Sequence, residues 1–203
     1  MYENILSANQ KQLLPFIESF AREYYLVGGT AIALQIGHRE SIDFDMFKQG
    51  VVHKSKIIEK LKAYQLDYEL LYTDAQSFHI VVKDVKLTFF SFPFNVPATV
   101  RFGKIKMPNL LHLAAMKAYA LGRRVKWKDY VDLYFIMNQQ IPLEHISDAT
   151  QSIFEGLFSA KLFKQQLCYF NDMDYSEEVT YCQDEVSDET IKTYLIKIAT
   201  NAI

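Results

Sequence analysis

The chain has 203 residues, which at roughly 150 residues per domain makes one domain, or one with a sizeable appendage. Half of it is apolar and 23% is charged, a composition that excludes a disordered or collagen-like chain. Lys and Arg total 22 against 24 Asp and Glu, so the net charge of -2 sets up no global basic field, and an anionic substrate must be held by local donors or by metal.

Two cysteines, Cys168 and Cys182, are too few for a disulfide framework and lack metal-site spacing. The opening MYENILSANQKQ has no apolar signal core, and no apolar run approaches the roughly 18 residues of a membrane helix. A soluble cytoplasmic protein without a membrane partner is expected. In chain order, Ile5 to Phe20 carries Leu13, Leu14, Ile17 and Phe20 at helical spacing, with Pro15 bending it or starting it anew. Tyr24 to Val27 is a short apolar run stopping at Gly28-Gly29, and Thr30 to Ile36 has the length of a short buried helix. Ser41 to Phe47 alternates, placing Ile42, Phe44 and Met46 on one face and Asp43 and Asp45 on the other. Ile57 to Tyr64 reads as a helix. Asp67 to Tyr72, Phe78 to Val82 and Val85 to Phe92 read as strands, with a tight turn at Lys83-Asp84 and a further strand over Thr99 to Met107. From Pro108 the chain turns helical: Leu110 to Leu121, Lys128 to Met137, a helix after Pro142, Ser159 to Phe170, and a last one from Glu189 beyond an acidic loop over 172–188.

Chemistry concentrates in residues 26–47, LVGGTAIALQIGHRESIDFDMF. Gly28 and Gly29 allow close backbone approach and expose amide N–H groups at a helix start, where a phosphate is favoured. Asp43 and Asp45 would stand side by side and repel each other, a conflict that a divalent cation removes; hard oxygen ligands suit magnesium (Mg2+). Phosphates beside such a site describe phosphoryl or nucleotidyl transfer from a nucleoside triphosphate. A second stretch, residues 110–136, sets Lys117 among Ala114, Ala115, Ala118 and Ala120, follows with the basic Arg123, Arg124, Lys126 and Lys128, and ends with Asp129 and Asp132 on one helix face. The competing reading is a helix hairpin with Lys117 and Arg124 salt-bridged to these aspartates. Phe89, Phe90, Phe92 and Phe94 read as core, and His53, His79, His112 and His145 as structural or surface residues; His38, beside Arg39, reads as structural with substrate contact as the alternative.

GGT, then HRxS leading into DFDMF, then AAMKAYALGRR and KDYVDLY together resemble the AbiEii/AbiGii toxin nucleotidyltransferases of the DNA polymerase beta-like superfamily, over roughly residues 24–137. The resemblance implies an α+β fold: a minimal nucleotidyltransferase mixed sheet with flanking helices over residues 1–107, and a helical part over 108–203 completing the cleft. It also implies transfer of a nucleoside monophosphate to a hydroxyl acceptor, RNA or tRNA, by the toxin of a toxin–antitoxin pair with a cognate antitoxin. On the matching positions Asp43 and Asp45 bind magnesium, Gly28, Gly29 and Thr30 form the phosphate-facing turn, and Arg39 and Ser41 lead into the carboxylates. Lys117 reaches the triphosphate, Asp129 and Asp132 are the acidic pair behind it, and Arg124 and Lys128 serve substrate. One position departs: Thr88 stands in VKLTFF where the family pattern has an aspartate, and a neutral hydroxyl is a poor general base. Either Asp129 or Asp132 substitutes, another base serves, or catalysis is weak or lost. The alternatives are therefore a nucleotide-binding or antitoxin-binding homologue without catalysis, and a nucleotidyltransferase that modifies protein.

Overall fold

The structure, a computed structural model, describes residues 1–201. Helix α1 (Ala8–Glu18) starts from a capping box in which the Ser7 hydroxyl accepts from the Gln10 amide at 3.2 Å and the Gln10 side chain accepts from the Ser7 amide at 3.0 Å. The helix runs through Pro15 without a break. The proline removes one backbone donor, and burial of Leu13, Phe16 and Ile17 on the inner face offsets the loss.

Strand β1 (Tyr25–Val27) passes at once into helix α2 (Gly28–Ile36), which ends at Gly37 with φ +65°. Strand β2 (Phe44–Lys48) starts at Phe44, later than the alternation suggests, and Ile42 is exposed while Phe44 and Met46 are fully buried. Residues 41–43 are instead an irregular lead-in held by side chains: Gln10 donates to the Ser41 carbonyl at 2.8 Å, and Thr30 donates to the Asp43 carbonyl. After α3 (Lys54–Ala63) come β3 (Glu69–Thr73), β4 (Ser77–Val82) and β5 (Val85–Ser91). The Lys83-Asp84 turn closes the β4–β5 hairpin as expected, both residues having positive φ (49° and 61°).

The five strands form one mixed sheet in the order β1-β2-β5-β4-β3, with β2 and β5 parallel and every other pair antiparallel. The segment read as one strand over Thr99 to Met107 is two, β6 (Val100–Phe102) and β7 (Ile105–Met107), paired across Gly103 at φ +55°. Apolar alternation continues through the turn and hides the reversal from the sequence.

Helices α4 (Leu110–Leu121), α5 (Trp127–Asn138), α6 (Leu143–Phe154), α7 (Ala160–Gln166) and α8 (Asp188–Asn201) follow. Asn109 caps α4, its side chain accepting from the His112 amide at 2.9 Å. One core runs from Ile5 to Ala199 and joins α2, the sheet, α4 and α5, so the helical half lies against the sheet through α2. Phe89 is in this core, and Phe92 joins Val96 and Phe154 in a smaller cluster. No helix among the described residues is long and apolar enough to cross a membrane. The mixed α+β architecture expected from the sequence is the one observed.

Candidate active site

Strand register sets the floor of a cleft of about 500 Å³. Val27, Asp45, Thr88 and His79 are successive partners across β1, β2, β5 and β4, and all four line it. Period two then adds Phe47 on β2 and Lys86 and Phe90 on β5 to the same face. The opposite wall is one side of α4, formed by Leu113, Met116, Lys117 and Ala120 at helical spacing, continued by Arg123 and Arg124. The cleft is thus polar around Asp45 and apolar around Phe47, Phe90, Phe92 and Tyr119.

At the polar end the chain needs both glycines. Gly28 has φ +73°, and a Cβ there would collide with the Asp45 carboxylate. A Cβ on Gly29 would lie 2.5 Å from the Arg39 guanidinium and 3.0 Å from the Ser41 hydroxyl. Val27, the N-cap of α2, supplies no side-chain acceptor, so nothing on the cap competes for the first-turn N–H groups beside Asp45. Thr30 points inward, its hydroxyl meeting the Ser41 hydroxyl at 2.9 Å and the Asp43 carbonyl, which fixes the approach to the carboxylates.

Burial pushes the Asp45 carboxyl above its ordinary range, and the Thr88 hydroxyl, Lys117 and Lys86 only partly offset this. Asp43, two residues earlier and half-buried, is raised by burial and then by the Asp45 charge. Asp45 stands in the cleft beside the open helix N-terminus, whereas Asp43 lies in the lead-in outside the cleft lining and reaches Asp45 through its charge; magnesium needs only one or two carboxylates when substrate phosphates complete its shell. Among the described residues no group of three or more His, Cys, Asp or Glu side chains is placed to hold a metal.

Asp129 and Asp132 have other partners. The Asp132 carboxylate accepts from His38 Nε2 at 2.8 Å, from Arg39 Nε and Nη2 at 2.8 and 2.9 Å, and faces Lys117 Nζ at 2.7 Å. Asp129 accepts from Lys117 Nζ at 2.5 Å and from Arg124 Nε and Nη2 at 2.7 and 3.0 Å. Burial would raise both carboxyls, but the cations reverse it: Lys117 and Arg124 hold Asp129 down, and Arg39 and Lys117 hold Asp132 well below its usual range. Neither carboxylate is free to replace the missing one at Thr88. Three cations face two carboxylates here, and the excess charge emerges in the cleft through Arg124, whose side chain is 51% exposed. The salt-bridged reading of Lys117 and the phosphate-facing reading are therefore compatible, since Lys117 does the first and lines the cleft.

The network predicts a stability effect. Lys117→Met keeps the stem but leaves two buried carboxylates sharing the remaining partners, and should destabilise the fold by about 3 kcal/mol, the low end for a broken buried pair because Arg39, His38 and Arg124 remain. Urea unfolding at pH 7 measures it; an unchanged midpoint would show that the lysine carries no structural load.

Some cleft residues carry no motif. Lys86 lies two before Thr88 on an alternating strand, so period two would have found it once Thr88 was singled out. His79 is reached only through strand register. Lys128 lies outside the cleft lining and faces Glu177 at 3.7 Å, and Lys126 pairs with the same carboxylate. Glu177 belongs to the acidic loop and carries no sequence pattern.

No protein-family model matches the chain. An uncharacterized protein of Aquifex aeolicus is 26% identical over 206 residues, spanning 94% of this chain and 98% of that protein. Among solved structures, JHP933 from Helicobacter pylori superposes with a TM-score of 0.60 at 15% identity, over 97% of this chain and 92% of the other. MenT4, a nucleotidyltransferase toxin from Mycobacterium tuberculosis, superposes with a TM-score of 0.59 at 13% identity, over 89% and 76%. At such identities the likeness is one of architecture, and the chain has the nucleotidyltransferase fold.

Proposed function

We propose that the protein is a magnesium-dependent nucleotidyltransferase of the AbiEii/AbiGii type, moving a nucleoside monophosphate from a nucleoside triphosphate to a hydroxyl of an RNA acceptor such as tRNA, as the toxin of a pair with a cognate antitoxin. The observation that carries the reading is Asp45 packed against Gly28 at the uncapped start of α2, with Asp43 two residues before it. The motif resemblance and the toxin named among the structural neighbours support the toxin assignment.

In this reading Asp43 and Asp45 hold the magnesium, which when bound supplies charge neutralisation at the reacting phosphate. Gly28 and Gly29 receive the triphosphate on backbone N–H groups. Lys117 and Arg124 present positive charge from α4 and the turn after it, where charge develops on the leaving pyrophosphate. Arg39, Thr30 and Ser41 hold the carboxylates in register from behind, and Asp129 and Asp132 orient Lys117, Arg124 and Arg39. Lys128 serves the acceptor side.

A second reading has one observation in its favour. Thr88 sits in register with Asp45, and both carboxylates of α5 are occupied by cations. The chain would then bind a triphosphate or an antitoxin without transferring anything. Incubation with magnesium and each α-phosphate-labelled triphosphate, together with total cell RNA and protein, separates the readings. Label on RNA supports the first, label on protein shifts the acceptor, and bound triphosphate with no labelled product supports the second.

A further inference from the structure

The acidic loop after α7 is tied down at both ends by backbone bonds. At one end the Asp174 amide donates to the Val125 carbonyl at 2.8 Å and the Trp127 amide donates to the Asp174 carbonyl at 3.0 Å. At the other the Glu40 amide donates to the Thr180 carbonyl at 2.8 Å and the Cys182 amide to the His38 carbonyl at 3.1 Å. One anchor is the lead-in to α5, which carries Asp129 and Asp132; the other is the segment carrying His38 and Arg39. Residues 175–179 bridge the anchors, and the middle one, Glu177, places its carboxylate against Lys126 and Lys128.

We propose that Lys126 and Lys128 form a phosphate-binding site for the backbone of the RNA acceptor, and that Glu177 is the resident anion which the acceptor displaces. This rests on the RNA-acceptor reading above and adds how that acceptor is admitted. The chemistry of the pair supports it: a carboxylate on two ammonium groups occupies the place of a phosphodiester. The pair is exposed, with side chains 38% accessible at Lys126 and 45% at Glu177, so it is a weak bond that water and salt already loosen. The strap's two anchors do not depend on the Glu177 side chain, so the carboxylate can swing away while the loop stays docked. Lys128 acts on both Glu177 and Asp43, which sets this end of the two-lysine site toward Asp43. In a chain of net charge -2 such a local device lets a polyanion approach a surface that otherwise repels it.

The test is a binding measurement without nucleotide, so it does not depend on transfer. A fluorescein-labelled RNA hairpin with a single-stranded 3′ tail is titrated with full-length protein at several salt concentrations. Glu177→Gln should tighten binding about tenfold and steepen the fall of log affinity with log salt by about 1.4, because each newly freed lysine neutralises one phosphate. Glu178→Gln, which makes the same change in net charge, should do much less. In a Lys126→Ala, Lys128→Ala background, Glu177→Gln should have no effect. Equal gains from Glu177→Gln with and without the lysines, or equal gains from Glu177→Gln and Glu178→Gln, would reduce the effect to net charge and overturn the proposal. RNA that binds neither wild type nor Glu177→Gln also overturns it, while labelled nucleotide on another acceptor would leave nucleotidyl transfer standing.

Discussion

Asp45→Asn should abolish transfer and at the same time raise the melting temperature of the metal-free protein at pH 7 to 8. The two effects share one cause. Burial pushes the Asp45 carboxyl up, and Asp43, two residues earlier, feels its charge. A carboxyl whose folded pKa lies above its unfolded one binds its proton more tightly when folded, so its ionised form destabilises the fold at every pH above the folded value. That destabilisation fades as pH falls through the folded pKa and is gone near the unfolded value of about 3.9. The neutral amide keeps the shape, can still accept from the Thr88 hydroxyl, and lacks the charge. It should gain about 0.5–2 kcal/mol at neutral pH, the usual size of a stability gain made by blunting a functional site. With magnesium and triphosphate the same change removes a ligand, and transfer should fall by at least about a thousandfold. Thermal melts from pH 4 to 8 without metal, with transfer assays beside them, give both numbers. Stabilisation with full transfer would place the metal elsewhere; loss of transfer with lower stability at every pH would make Asp45 a structural residue.

How much of this was legible follows from where each interaction lives along the chain. Gly28, Gly29 and Asp45 sit within one strand–helix–strand unit, and local chemistry paired them, glycine standing where a carboxylate crowds the backbone; Asp43, expected beside Asp45 on the strand, lies instead in the lead-in to β2. The β2–β5 pairing was not legible from composition, because α3, β3 and β4 intervene and nothing local says which strands become neighbours. Thr88 stood out only through the family resemblance, and register then placed it beside Asp45. The spacing of Asp129 and Asp132 showed that they share a helix face. It could not show that Lys117 would reach both while still lining the cleft, since that depends on how α4 crosses α5. Ile42 failed the alternation because Gln10 and Thr30 hold the lead-in to β2 out of the sheet. Glu177 was invisible for the opposite reason: its loop has no periodicity, and backbone bonds to His38, Glu40, Val125 and Trp127 bring it against Lys126 and Lys128.

Thr88→Asp tests the departure from the family pattern directly. Thr88 is the β5 partner of Asp45 and its hydroxyl donates to that carboxylate, so an aspartate there would stand beside Asp45 and on the same face. Without metal, three neighbouring carboxylates repel, and the Asp45 carboxyl also loses the hydroxyl that eases its charge. The variant should lose about 1–3 kcal/mol under those conditions. Magnesium should return it, because an ion bound by three carboxylates stabilises the folded state by about 2.7 kcal/mol at a hundred times its Kd. The melting temperature of Thr88→Asp should therefore respond to magnesium more steeply than that of the wild type. Thr88→Val supplies the control: it also removes the hydroxyl, adds no charge, and should show no such gain in response. If the third carboxylate restores a general base near the acceptor hydroxyl, transfer should rise about a hundredfold or more. A melting temperature indifferent to magnesium would mean that residue 88 does not reach the metal, despite its register with Asp45. A strong magnesium response with no transfer would locate the loss of catalysis beyond this position, and the binding-protein reading would then account for a cleft that keeps Gly28, Asp45 and Lys117.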